Sequence, residues 1–145
     1  MFSIIIPTWN NLGFLKLCVE SLRKNSKFDH EIIIHINDGS DGTLDWVKAE
    51  GIRYSHTPKN VGICLSVNHL VTLSSHEWVL YLNDDMVACP GWDTAFTQAI
   101  AATETDLALF FSTLIHADNA TDLISSQMVA NSRGLQLGVQ PGDEH

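Results

Sequence analysis

Two adjacent carboxylates, Asp84 and Asp85, follow the apolar run EWVLYL and an amide, Asn83, in the stretch YLNDDM. Neighbouring anions repel, and water relieves that only in part, so a positive partner is expected beside them. Oxygen-only ligands suit Mg2+ or Mn2+, which take one or two carboxylates and fill their remaining positions with water and substrate phosphates. A solvated turn is the plainer alternative, since Asn and Asp are common turn residues.

Other chemistry-bearing residues stand at the ends of apolar runs. The first run ends in Pro7, Thr8, Trp9 and Asn10, and the second in Asn37, Asp38, Gly39 and Ser40. Asp38, the first acid after its run, could accept hydrogen bonds from a base N–H or a ribose hydroxyl. It could also belong to a strand-to-helix turn in which Gly39 or Gly42 takes a positive φ and Asp38, Ser40 or Asp41 caps. In PKNVG (58–62), Asn60 could cap the next helix and Gly62 could let a ligand approach. Trp9 offers a ring for base stacking or shields an edge. His35 reads as a core histidine, and His69, His76 and His116 have no metal spacing. Neither a G-x-x-x-x-G-K-[ST] nor a G-x-G-x-x-G loop occurs.

The elements that must position these residues alternate in period. FSIIIP (2–7) is a continuous β-branched run, as in a strand buried on both faces. Leu12, Leu15, Val19 and Leu22 recur at helical spacing over 11–25. HEIIIHIND (30–38) is a second strand, SDGTLDWVKAEG a helix stopped by Gly51, and IRYSH (52–56) a third strand. Ile63, Val67, Leu70 and Val71 mark a third helix and EWVLYL (77–82) a fourth strand. Trp92, Ala95, Phe96, Ala99 and Ile100 mark a fourth helix, and DLALFFSTLI (106–115) a fifth strand. This βα alternation implies an α/β fold: a mostly parallel, open sheet with helices on both faces. In such a sheet ligands bind beyond the carboxyl ends of the strands, where the residues above converge. Residues 1–115 are thus expected to form the ligand-binding α/β domain. Residues 116–145 are polar, with weak alternation in LISSQMV and LQLGV, and are expected to form a hairpin over the sheet edge or an irregular extension.

Bulk properties bound the function. With 145 residues and 45% hydrophobic content, one domain with a real core is expected. A formal charge of −9 argues against a nucleic-acid partner, although a metal or backbone amides can still hold a small anion. Three scattered cysteines fit no disulfide framework or zinc site, which suggests a reducing compartment. The N-terminus has no basic region before its short apolar run, and no stretch reaches the roughly 18 apolar residues of a membrane span. A cytoplasmic protein is expected, with peripheral membrane association compatible.

SIIIPTWNN, INDGSDGT, KNVGICLSVNHL and YLNDDMVACPGW, in this order and spacing, resemble the donor-binding half of family-two glycosyltransferases of the GT-A, Rossmann-like fold. The tail LIHADNATDLISS through GLQLGVQPGDE resembles the rhamnosyltransferase-like branch. The resemblance implies a metal-dependent, inverting transfer of sugar from a UDP- or dTDP-linked donor to a saccharide or lipid-linked acceptor. By it, Pro7, Thr8, Trp9, Asn10, Asp38, Gly39, Asn60, Gly62 and Asn68 bind the nucleotide. Asn83 and Asp84 lie by the sugar and diphosphate, and Asp85 with Asp84 holds Mn or Mg. Where the family often shows Ala-Arg-Asn, this chain has Ser66-Val67-Asn68, so a cation near the nucleotide is missing. The family's carboxylate base belongs to the acceptor half, expected beyond residue 145. Asp143 and Glu144 match the segment ahead of that half. The sequence therefore reads as a fragment truncated after about the fifth strand, whose open edge could favour self-association. Sugar nucleotidyltransferases and non-catalytic sugar-nucleotide-binding modules are the alternatives. The former open with a Gly-rich loop and a basic residue, but PTWNNLGF has one Gly and no Arg.

Overall fold

A computed structural model describes residues 1–104 with their side chains and residues 109–116 and 119–131 as backbone strands. The elements follow the chain as β1 (Phe2–Trp9), α1 (Leu12–Asn25), β2 (Glu31–Asn37), α2 (Thr43–Ala49), β3 (Arg53–Thr57), α3 (Ile63–Leu73), β4 (Trp78–Tyr81), α4 (Trp92–Ala101), β5 (Leu109–His116) and β6 (Asn119–Asn131). The sheet order is β3-β2-β1-β4-β6-β5. β1 pairs in parallel with β2 and β4, and β2 with β3. β6 pairs antiparallel with both β4 and β5, so β5 points the same way as β4 without touching it. LISSQMV lies within β6, inside the sheet; LQLGV, Asp143 and Glu144 lie outside the described residues.

Strand parity divides the core. Ile4, Ile6, Ile34, Ile36 and Leu80 face Leu15, Val19 and Leu22 of α1, Val47 of α2 and Phe96 of α4. Ile5, Ile33 and Val79 face Val67 and Leu70 of α3. Ile4, Ile5 and Ile6 are fully buried, each contributing roughly 2 kcal/mol by burial. Helices therefore cover both faces of the four parallel strands.

β1 runs two residues past the expected end at Pro7, and parity explains why proline is tolerated. The Ile5 carbonyl accepts from Leu82 N–H, so the backbone groups of odd-numbered residues point toward β4. β4 pairs with β1 only as far as Ile5. The N–H that Pro7 lacks would thus point past the end of β4's pairing, and no ladder bond is lost. Ile63 also departs from expectation: it is 52% exposed, not on the buried stripe. α3 begins at the rim, where its first turn overhangs the ends of the strands, and burial starts at Ser66.

At the opposite rim, where the strands begin, polar groups are saturated. Glu31 accepts from Ser3 Oγ (2.6 Å), Ser75 N–H (3.0 Å) and Arg53 (2.7 Å). Burial alone would raise this carboxyl, but those donors outweigh it and hold it at about 2. Asp93, fully buried in the first turn of α4, accepts from the Lys27 and Phe28 N–H groups (2.6 and 2.9 Å) and from His30 Nε2 (3.1 Å). Phe2 N–H donates to His30 Nδ1 at 3.1 Å, which makes Nδ1 an acceptor and Nε2 the protonated nitrogen. The pair is therefore a neutral imidazole donating to a carboxylate. Burial lowers the His30 pKa despite the Asp93 contact; for Asp93 the donors overcome the upward push of burial. Phe2, His30, Trp92 and Phe96 pack their rings around this corner.

Candidate functional site

The sheet's switch point lies between β1 and β4: α1 and α2 follow β1 and β2 on one face, and α3 enters β4 from the other. Open α/β sheets place ligands in the crevice at such a point. Here Thr8, at the end of β1, donates its hydroxyl to Asp84 Oδ2 at 2.6 Å. Thr8 is 3% exposed, so it orients Asp84 from below while the carboxylate stays half-exposed. Asp85 is exposed beside it. The ion pairs among the described residues, Arg23–Glu50, His30–Asp93 and Arg53–Glu31, all lie elsewhere.

The negative field of the two acids reaches their neighbours. Burial first, then Asp84 and Asp85, push the Cys18 thiol up to about 12. The same causes, in the same order, raise the Tyr81 phenol. Tyr81 donates its hydroxyl to Asn83 Oδ1, and the Cys18 thiol approaches the Asn83 carbonyl at 3.7 Å. Asn83 is thereby fixed from both sides at the start of the acidic turn.

Asn10 and Asp38 form the second half of the rim. They are the only non-glycine residues with positive φ among those described, at 46° and 64°. Left-handed backbone at such residues is sparsely populated and concentrates at functional sites. Asn10 Nδ2 donates to Asp38 Oδ2 (3.0 Å) and Ser40 Oγ (3.2 Å), while Gly39 N–H donates to Asn10 Oδ1 (3.0 Å). Asp38 is tied to β3 as well, its N–H donating to the Thr57 carbonyl and its carbonyl accepting from His56 Nε2, both at 2.8 Å. Gly39 has φ +80°, and a Cβ there would lie 2.9 Å from Ile36 Cγ2 and 3.2 Å from Leu44 Cβ. Glycine is required there for both conformation and space.

Capping differs from the sequence expectation. Ser40 belongs to the Asn10 network, while Asp41 accepts from Thr43 N–H at the start of α2 and from Leu12 N–H at the start of α1 (3.0 and 2.9 Å). The N-cap position itself is Gly42, in the left-handed region. Asn60 Oδ1 accepts from Gly62 N–H at 2.8 Å, closing a local turn before α3. Gly62 has φ +80° with open space around it. Trp9 is 58% exposed, Pro7 is buried beneath the rim, and Asn68 is half-buried on α3.

Thr8 with Asp84, and Asn10 with Asp38 and Gly39, thus form two directly hydrogen-bonded groups at the strand ends, and Asn83 and Asp85 flank the first. Asn37, which sequence reasoning placed only as a strand end, proves to be the buried centre of this rim. The signal was present: residues 33, 35 and 37 share one strand face, and two of the three are polar. No group of three or more His, Cys, Asp or Glu side chains able to hold a metal gathers among the described residues; any ion here would share two carboxylates with its ligand. A depression of about 570 Å3 between α1 and α2, lined by Lys16, Arg23, Trp46 and Glu50 among others, lies away from this rim and carries mixed charge. No helix among the described residues is long and apolar enough to cross a membrane.

The pattern of the family described as "Glycosyl transferase family 2" matches residues 3–140. The chain is 32% identical over 90 residues to the PGL/p-HBAD biosynthesis glycosyltransferases of Mycobacterium bovis and Mycobacterium tuberculosis, covering 59% of this chain and 35% of theirs. It thus spans about a third of the length of those relatives. The fold is that of glucosyl-3-phosphoglycerate synthase from M. tuberculosis in complex with uridine diphosphate. That match has TM-score 0.66 at 14% identity, over 92% of this chain and 57% of that one. A mannosyltransferase from Pyrobaculum calidifontis, in complex with GDP-Man and Mn2+, matches with TM-score 0.61 at 19% identity, over 72% and 33% of the two chains. With the family pattern running through nearly its whole length on a GT-A sheet, the chain belongs to glycosyl transferase family 2.

Proposed function

We propose that the strand-end rim is the donor subsite of a metal-dependent, inverting glycosyltransferase. The donor is a sugar linked to uridine or deoxythymidine diphosphate, and the acceptor a hydroxyl of a saccharide or lipid-linked saccharide at the cytoplasmic side. The observation that carries this reading is Asp84, clamped by Thr8 across the switch point and followed by an exposed Asp85, with neither acid in an ion pair among the described residues. The nucleotide and Mn2+ complexes of structural relatives support it.

The donor set fits a hard cation: two oxygen-bearing side chains, Asp84 and Asp85, with room for phosphate and water oxygens to complete the shell. When bound, Mn2+ or Mg2+ neutralises charge growing on the departing diphosphate. The rest falls to the chain. Thr8 holds Asp84 in one orientation, so the carboxylate is preorganised. Asp38 accepts from the base or ribose, braced by Asn10 and Gly39. Trp9, exposed, offers a stacking face above the buried Pro7. Asn60, Gly62 and Asn68 line the α3 side, and Asn83 faces the ribose or sugar. As the acceptor oxygen bonds to the anomeric carbon, the carbon–phosphate-oxygen bond breaks and the diphosphate leaves with the electron pair. The acceptor's proton passes to a carboxylate base on the acceptor side.

Titration with uridine and deoxythymidine diphosphates, with and without Mn2+, tests the reading. Binding is expected to require Mn2+ and to weaken by roughly 10–100-fold or more in Asp85→Ala, with the melting midpoint unchanged. Binding that ignores the metal and survives Asp85→Ala overturns the assignment.

A further inference from the structure

Asn37 ends β2 at 4% exposure, and its carboxamide both donates and accepts. Nδ2 donates to the Thr8 carbonyl (3.3 Å) and to Ser66 Oγ (3.2 Å). Oδ1 accepts from Val61 N–H (2.9 Å) and lies 3.4 Å from Thr57 Oγ1, whose single proton goes to the nearer Lys59 carbonyl at 2.9 Å. The partners fix the orientation of the amide without ambiguity: a carbonyl only accepts, and a backbone N–H only donates. A carboxylate of the same shape cannot donate to Thr8, and an apolar side chain of that size serves neither side.

These three bonds reach the end of β1, the turn into α3 and α3 itself. Thr8 passes the connection on through its hydroxyl to Asp84. Val61 lies inside the turn that Asn60 and Gly62 close. Ser66 in turn donates to the Gly62 carbonyl at 2.7 Å. Asn37 thus stands one hydrogen bond behind both flanks of the rim and is too deeply buried to meet a ligand itself.

We propose that Asn37 is the positioning residue of the nucleotide subsite. It locks the 57–62 turn against the end of β1, so that the base-binding and diphosphate-binding flanks hold their spacing before the donor arrives. This inference rests on the donor-subsite reading above. A buried polar centre bonded on both its donor and acceptor sides gives rigidity that an apolar one cannot.

The test compares Asn37→Leu and Asn37→Asp with wild type and with Asp93→Asn, a variant that weakens the opposite rim. Affinity for uridine or deoxythymidine diphosphate with Mn2+ is measured well below each melting midpoint, and exchange of the Val61 amide is followed alongside. Both Asn37 variants are expected to bind at least roughly tenfold more weakly, with faster Val61 exchange in Asn37→Leu. Asp93→Asn is expected to melt earlier and bind as wild type does. Asn37→Asp is isosteric and keeps the acceptor for Val61, so it carries the test if the leucine variant does not fold. A folded Asn37 variant that binds within about twofold of wild type overturns the inference alone. Failure of wild type to bind either nucleotide overturns the donor-subsite reading and this inference with it.

Discussion

Where the parallel strands begin, Glu31 and Asp93 sit among donors; where they end, Asp84 and Asp85 do not. At the first rim each carboxylate collects backbone and side-chain N–H or O–H groups, and its pKa falls although burial pushes the other way. At the second, the Thr8 hydroxyl is the one donor to Asp84 among the described residues, and the acids raise the pKa of a thiol and a phenol nearby. A carboxylate that serves folding has its lone pairs satisfied by the chain, whereas one kept for a ligand leaves them open. In this respect the acids proposed to meet a ligand differ from Glu31 and Asp93, which the fold itself satisfies.

The comparison breaks most visibly at Asp93. Asp93→Asn keeps the shape but removes the charge that draws in Lys27, Phe28 and His30, and it turns one acceptor into a misplaced donor. A loss of about 3 kcal/mol is expected in urea unfolding. The matching change at the other rim, Asp85→Ala, is expected to stay within about 0.5 kcal/mol. Equal losses at the two sites would erase the distinction.

Gly39 comes next, because the strand-end rim stores its strain in the backbone. Gly39→Ala is expected to cost about 2 kcal/mol, from left-handed backbone plus the collision with Ile36 and Leu44. Gly62→Ala meets open surroundings, but at φ 80° and ψ 166° its backbone lies where essentially only glycine goes, and a cost of about 1–3 kcal/mol is expected from strain alone. Urea midpoints of the two variants compare strain joined to crowding with strain by itself.

Acid draws on the two rims unequally. His30, Glu31 and Asp93 all have folded pKa values below their ordinary ones, so each stabilises the fold above its ordinary pKa and loses that contribution as pH falls. For His30 the loss starts near 6.5; for Glu31 it runs from about 4.5 down to about 2. Stability is therefore expected to fall steadily below about pH 6.5. Glu31→Gln is expected to reduce the slope of the curve between about 4.5 and 2, where Asp93 and Asp41 still contribute, and leave the earlier part in place. A urea midpoint followed across pH in both proteins checks this.

Much of this was legible in the residues. The β-branched run of β1, the helical stripe of α1 and the acids closing β2 and β4 follow from periodicity and the strand-end rule. Asp93 was not legible as a structural centre, and Asn37 only through the polar face it shares with His35. Amides and carboxylates are usually surface residues, and tertiary packing shows that these two are buried among partners. The place of β6 was equally hidden. Its alternation is weak, and its insertion between β4 and β5 is set by long-range pairing that no local pattern encodes. Ile63 misled for a related reason: helical spacing shows which residues share a face, not where the sheet beneath that face ends.

Cys18 offers the mildest probe of the open acids. Its thiol, pushed up to about 12 first by burial and then by Asp84 and Asp85, carries almost no thiolate near pH 8, and thiolate is the form that alkylating agents capture. Cys64 and Cys89 are exposed. Intact mass after iodoacetamide at pH 8 is expected to show two labels on the folded protein and three in denaturant. Because burial is the larger cause, Asp85→Asn should leave the folded count at two and only slightly quicken the slow third addition. A rapid third label in that variant would mean that the acids, not the packing of α1 over β4, hold the thiol protonated, and that their field reaches further into the core than the geometry here implies.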